Sequence, residues 1–386
     1  MQEMSRKNKL FTDSVIRRMT RVSLACGAIN LAQGFPDFDP PKALTDRLAE
    51  VSALGPHQYP ITMGAPNFRQ ALARKAGRFM GRALDPDTDM VVTIGSTEAM
   101  VDTIFALTNP GDKIIMFSPY FENYRAQAIM ADCEPLFVPL VPPEFNFDAN
   151  VLEDAFKQGA KAILICNPSN PSGKVFTYDE LKLISELCIK YDAFAIMDEV
   201  YEHIVYDGHK HIYMNSLPGM WERTITVQSF SKTYSMCGWR IGYLVAPAEL
   251  VRIVVRAHQT VAMNACSFGQ LGALEALTGP QDSLYAMLAE FDRRRLLLYN
   301  GLKELGIPCS RPQAAFYLFP DIGEFGMDSF TFAELLLDKY GVATVPGVEF
   351  GKNGENHLRI SYATSFEDCQ MGLHRIAQCV SDLRKG

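Results

Sequence analysis

From about Met90 the chain settles into a rhythm that few folds accept: a short apolar, β-branched run, then an amphipathic stretch, then another run. Val91 to Ile94 is followed by Thr97 to Leu107, Lys113 to Phe117 by Phe121 to Ala131, and Lys161 to Ile165 by Asp179 to Tyr191, with Ala193 to Met197 next. Short runs without alternation suit strands covered on both faces, and the amphipathic stretches suit the helices that cross between them. The pattern predicts an α/β fold with a mostly parallel sheet, because parallel neighbours require a crossover of that size.

Further strands are expected at Thr224 to Gln228 and Ile241 to Val245, and a helix from Ala248 to His258. A chain of 386 residues is longer than one core usually serves, so we expect a large domain over 41–285 and a smaller α+β domain over 286–386. The smaller one would hold a helix from Phe291 to Leu305, apolar runs at Ala315 to Phe319 and Val342 to Val345, and a closing helix from Phe366 to Leu383. The N-terminal segment, 1–40, is read as joining it.

A net charge of -7 leaves no basic stripe for a nucleic-acid backbone. Arg293, Arg294 and Arg295 read as one solvated helix face. The nine cysteines include no C-x-x-C pair, which speaks against zinc or a redox dithiol, and most are read as buried in a reducing compartment. The first ten residues are polar, and nowhere do about 18 apolar residues run together. The expectation is a cytoplasmic protein with no membrane partner. Asp207, His209 and His211 are read as an exposed loop rather than a metal site, and no metal site is expected.

The segment that carries most chemistry is Ser229-Phe230-Ser231-Lys232-Thr233, followed by Gly238-Trp239-Arg240-Ile241-Gly242. A lysine framed by hydroxyls at the end of a β run fits an amine that condenses with an aldehyde. Desolvation and a neighbouring cation such as Arg240 would free that amine of its proton, and the guanidinium fork also suits a phosphate. A salt-bridged lysine in a helix-entry loop fits the same residues. Asp198 ends another apolar run, where open α/β sheets bind ligands. There it could hold a positive ring nitrogen, with Tyr201 beside it, or cap a following helix. Asn170 stands between two Asn-Pro steps that fix it outside a helix, although such turns are ordinary loop chemistry. Gly95-Ser96-Thr97 opens a helix after a strand, a weak signal for an anion site. Neither G-x-G-x-x-G nor a P-loop is present.

In this order, the pieces resemble the class I/II aminotransferases of pyridoxal-phosphate fold type I, over nearly the whole chain from Asn30 onward. The resemblance implies pyridoxal 5'-phosphate as cofactor and Lys232 as the Schiff-base lysine that moves the substrate proton. It implies Asp198 on the pyridine nitrogen, Asn170 and Tyr201 on the ring hydroxyl, and Phe121 stacked on the ring. Gly95, Ser96, Thr97, Ser229 and Arg240 match the phosphate cup. Tyr59 matches a tyrosine given to the neighbouring subunit's phosphate, which makes a homodimer with shared active sites the minimal enzyme. Arg359 and Asn170 match the groups that bind the substrate carboxylate, and the segment around Gly34 matches the one passing over the substrate.

Gln33-Gly34-Phe35-Pro36-Asp37-Phe38 and Ser216 to Thr224 look like the branch holding kynurenine, glutamine and methionine aminotransferases and their bacterial aspartate and aromatic relatives. Some aspartate enzymes of that kind carry a lysine where Thr97 stands here. That weakens a dicarboxylate preference unless Arg17, Arg18 or Arg21 serves instead. The expected activity is transamination between a large neutral or aromatic L-amino acid, or aspartate, and a 2-oxo acid such as 2-oxoglutarate. Two alternatives stay open: a C–S β-lyase using the same residues, and a regulator without turnover. The second is disfavoured because too few residues precede Asn30 for a winged helix.

Overall fold

The computed structural model describes residues 5–10, 14–55 and 57–385. Three helices, α1 (Val15–Cys26), α2 (Lys42–Leu54) and α3 (Pro66–Met80), and a short strand β1 (Ile29–Asn30) precede the repeating part. That part runs β2 (Met90–Thr93), α4 (Gly95–Leu107), β3 (Lys113–Ser118), α5 (Asn123–Met130), β4 (Glu134–Pro139), α6 (Ala149–Lys157), β5 (Ala160–Cys166), α7 (Tyr178–Lys190) and β6 (Phe194–Asp198). It continues with β7 (Thr224–Ser229), α8 (Phe230–Thr233), β8 (Gly242–Val245), α9 (Ala248–Val261) and α10 (Ser267–Thr278). The rest holds α11 (Asp282–Glu304), β9 (Tyr317–Leu318), α12 (Ser329–Tyr340), β10 (Val342–Ala343), β11 (Val345–Pro346), β12 (Leu358–Ser361) and α13 (Phe366–Lys385).

Seven strands form one sheet in the order β2-β8-β7-β6-β5-β3-β4. Only β8 is antiparallel to its neighbours. Both faces are covered, as the unbroken apolar runs require: along β5, Ile163 and Ile165 enter one core while Ala162 and Leu164 enter the other. Helix starts are encoded locally. Thr177 and Glu180 form a reciprocal capping box at the start of α7.

Beyond the sheet, β9, β12 and β11 make a small antiparallel sheet. β1 pairs in parallel with β10, which sets the N-terminal strand beside the C-terminal third. α11 runs without a break through the expected boundary at 285. No helix among the described residues is long and apolar enough to cross a membrane.

Two expectations are corrected. Arg294 and Arg295 are buried rather than solvated, because consecutive helical residues sweep about 200° around the axis and cannot share a face. Arg294 pairs with Asp37 and Glu290, and Arg295 with Asp207 and Asp292. Fewer than half of the nine free cysteines are buried: Cys133, Cys188, Cys369 and Cys379. The 207–211 segment is a loop, exposed from Asp207 to Lys210 as expected, with Asp207 held by Arg295 and Arg311 and the His211 side chain against Glu199.

Candidate active site

The strands that end at Thr93, Cys166, Asp198 and Ser229 deliver their loops to one edge of the sheet. A cavity of about 1010 Å³ opens there, lined from the sheet, α1 and the small β9–β12 region. Its walls bring together most of the residues singled out in the sequence: Gly34, Ser96, Thr97, Phe121, Asn170, Asp198, Tyr201, Lys232, Arg240 and Arg359.

One end is built for an anion. α4 begins at Gly95 with no side-chain cap, so the first N–H groups of the helix point outward without partners of their own. Arg240 lies across this helix start, its Nη2 donating 3.3 Å to the Ile94 carbonyl and its Nη1 3.0 Å to Cys237. Gly95 has φ +73°, and a Cβ there would stand 2.4 Å from Arg240 Nη2, so only glycine lets the guanidinium lie this close. Ser231, not Ser229, reaches the wall. Ser229 sits behind it as the N-cap of α8, its hydroxyl accepting the Ser231 N–H and donating 2.9 Å to the Ser231 hydroxyl.

Lys232 lies in the single turn of α8, and its Nζ donates to the Gly34 carbonyl at 2.6 Å. Asp198, at the end of β6, is buried, and burial pushes its carboxyl above the usual range despite the Tyr124 hydroxyl donating to it at 2.6 Å. A buried carboxylate short of positive partners is suited to a protonated ring nitrogen. Tyr201 is followed by turns rather than a helix. Its phenol, held far above its ordinary value by burial, stays a neutral donor 2.9 Å from the Tyr317 hydroxyl.

At the far wall, β12 delivers Arg359, fully buried. Nη1 donates 3.2 Å to Asn170 Oδ1 and Nη2 donates 2.8 Å to the Ala32 carbonyl, with the guanidinium 4.4 Å over the Tyr317 ring. Its Nε has no partner among the described residues. A buried donor left unpaired costs about 1–3 kcal/mol, and the guanidinium that carries it lines the cavity. Gly34 keeps this corner open, since a Cβ there would touch the Tyr317 hydroxyl at 3.4 Å. Tyr59 is not part of this chamber: it is 79% exposed.

Sequence reasoning named Arg17 and Arg21 on α1 but passed over Tyr124, Ser231, Tyr317 and the other α1 residues on the cavity. Ser231 had a signal, being the second hydroxyl beside the lysine. Tyr124 and Tyr317 had none, because an aromatic in a helix or a strand reads as core. α1 places Arg17, Thr20, Arg21 and Leu24 on the cavity, a spacing of i, i+3, i+4 and i+7 that was legible but unread. Arg18 faces the other way and pairs with Glu334.

A parallel-sheet protein with an amine, an anion cradle, a buried carboxylate and a buried arginine in one cavity is equipped to act on amino acids through a phosphorylated carbonyl cofactor. The family model for aminotransferases of class I and II matches residues 27–376. The aspartate aminotransferase of Pyrococcus abyssi is 35% identical over 98% of this chain and 98% of its own. The aromatic-amino-acid aminotransferase 2 of Thermococcus litoralis is 35% identical over 92% of each. The structure of Thermus thermophilus aspartate aminotransferase with maleate superposes with a TM-score of 0.92 at 31% identity, covering 98% of this chain and 100% of that one. The chain belongs to the class I and II aminotransferases, with the fold-type-I architecture and pyridoxal-phosphate dependence of that family.

Proposed function

We propose that this aminotransferase takes the amino group from large neutral or aromatic L-amino acids and passes it to a 2-oxo acid such as 2-oxoglutarate, with Lys232 as the lysine that carries the cofactor. The anion cradle fits the cofactor phosphate at Ser96, Thr97 and Arg240, and Asp198 fits its ring nitrogen, with Tyr201 and Asn170 toward the ring hydroxyl and Phe121 against the ring. Bound pyridoxal phosphate supplies an electron sink for the charge left at the substrate Cα. Lys232 takes the α-proton and returns a proton at the other end of the shift, while Asp198 keeps the ring nitrogen positive. Arg359 turns the substrate by its α-carboxylate so that the Cα–H bond faces Lys232, a positioning effect.

The observation that carries this reading is one cavity lined by both the Lys232 amine and the buried Arg359 guanidinium, with the anion cradle of Ser96, Thr97 and Arg240 on the same walls. For the side chain, Ile16, Leu24, Phe35 and Phe121 give an apolar wall, while Arg17 and Arg21 bring cations near it. That combination supports apolar donors with a dicarboxylate acceptor, and the relatives named for aspartate and for aromatic amino acids bracket it. The test is a half-reaction screen: each amino acid is added without an acceptor and the visible absorbance of the bound cofactor is followed. Phenylalanine, tyrosine and methionine are expected to bleach it fastest, and a response confined to aspartate and glutamate would overturn the donor assignment.

A further inference from the structure

Behind the anion cradle lies a set of ionisable groups that the proposed reaction does not use. His258 on α9 is fully buried. Its Nε2 stands 3.1 Å from the Thr62 carbonyl, which can only accept, so Nε2 carries a proton. Its Nδ1 stands 2.6 Å from Glu98 Oε1 and 3.6 Å from Asp102 Oδ2, both on α4. The second oxygen of Glu98 accepts the backbone N–H of Ile94. With a carbonyl at Nε2 and two carboxyl groups at Nδ1, both ring nitrogens are placed to donate, the arrangement that an imidazolium satisfies.

Burial opposes that charge, but the Asp102 and Glu98 carboxyls outweigh it and hold the imidazole up to about 9. Asp102, whose two oxygens have no hydrogen-bond partner among the described residues, is pushed up to about 6, first by burial. These three side chains also have the composition of a metal site. Their spacing argues against one: donor atoms about 2.1 Å from a tetrahedral zinc stand roughly 3.4 Å apart, whereas Nδ1 and Oε1 are at 2.6 Å, a charge-assisted hydrogen bond.

The Ile94 peptide is the link to the cradle. Glu98 holds its N–H and Arg240 holds its carbonyl, just before the helix start at Gly95. Thr62, on the other side of the imidazole, belongs to the loop that also carries Tyr59 and is tied to β2 through Val92 N–H to the Met63 carbonyl at 3.0 Å. We infer that His258 is a positioning residue for the phosphate cradle: as an imidazolium it fixes Glu98 on the Ile94 peptide and fastens the Tyr59 loop to the same point. This rests on the reading that Ser96, Thr97 and Arg240 bind the cofactor phosphate.

The test uses the full chain stripped of cofactor, with affinities measured for pyridoxal phosphate and for pyridoxal, which lacks the phosphate. His258→Gln keeps a donor for Thr62, and His258→Asn keeps one for Glu98. Both variants are expected to weaken pyridoxal phosphate about 10- to 100-fold, less for His258→Asn, while pyridoxal binds as in the wild type. In the wild type the ratio of the two affinities should fall as pH rises through about 9, and in the variants it should be flat. The contribution of Lys232 is common to both ligands and cancels from the ratio. Equal weakening of both ligands, a pH break that survives in the variants, or a stoichiometric metal lost on substitution would each overturn the inference. A wild-type chain that binds both ligands equally would instead remove the phosphate reading itself, and the inference with it.

Discussion

At the scale of single residues, the cavity is governed by what its charged groups lack. Arg359 has two of its three nitrogens paired and the third empty, inside a wall from which water is largely excluded. Lysine at this position would keep the charge but lose the planar fork. Arg359→Lys is therefore expected to cost about 1.5–3 kcal/mol in kcat/KM, a fall of about 10- to 100-fold. The fall should be similar for every amino acid and every oxo acid, since each presents the same carboxylate. Steady-state kinetics with an aromatic donor, aspartate and 2-oxoglutarate check this; a loss confined to one substrate would make Arg359 a side-chain reader. Of the residues in the cavity, Lys232, Asp198 and Asn170 were legible because each stands at or within a few residues of a strand end, in a chemically unusual neighbourhood. Arg359 and Tyr59 became visible only through resemblance, and Tyr124 not at all, since its partner Asp198 is far away in sequence.

At the scale of elements, α11 does more than close the second core. Arg295 is fully buried and bonds Asp207, Asp292 and the Pro312 carbonyl, so one side chain ties the helix to two loops. Removing it leaves Asp207 and Asp292 partly in water, Asp207 still paired with Arg311, and the Pro312 carbonyl without its donor, at about 1–3 kcal/mol. Arg295→Ala should lower the unfolding free energy by about that amount in a denaturant titration, with no direct effect on the cavity. The same clamp predicts an acid limb. Arg295, and then Arg311, hold the Asp207 carboxyl well below the usual range. A depressed carboxyl gives stability that is present above its ordinary value of about 3.9 and lost as pH falls below it, so Asp207→Asn should flatten the acid side of the stability profile. The elements that were legible are those with unbroken apolar runs or clear amphipathic faces, such as β5, β6 and α9. β4 was missed because it sits at the sheet edge with Glu134 and Phe137 exposed. α10 was missed because its apolar residues run nearly all round, which blurs the helical period.

At the scale of the whole molecule, the chamber contains a cradle for phosphate but not Tyr59, which lies exposed beside other exposed apolar residues, Leu54 and Ile61. A run of large apolar side chains left in water next to an active-site loop fits a surface covered by another copy of the chain. The proposal that each chain lends Tyr59 to the other's phosphate can be tested by mixing two chains, one without the lysine and one with a weakened phosphate site. Lys232→Ala abolishes the proton transfer in its own site, at a cost of at least about 10²–10⁴ in rate. Tyr59→Phe removes one hydroxyl from the phosphate site. In a hybrid of the two, a cross-subunit arrangement leaves one site with an intact lysine and an intact tyrosine, and the other with neither. Activity at low cofactor concentration should then rise on mixing, toward half the wild-type value per hybrid. If Tyr59 served its own chain, every lysine-bearing site would still lack its tyrosine hydroxyl, and mixing unfolded and refolded variants would restore nothing.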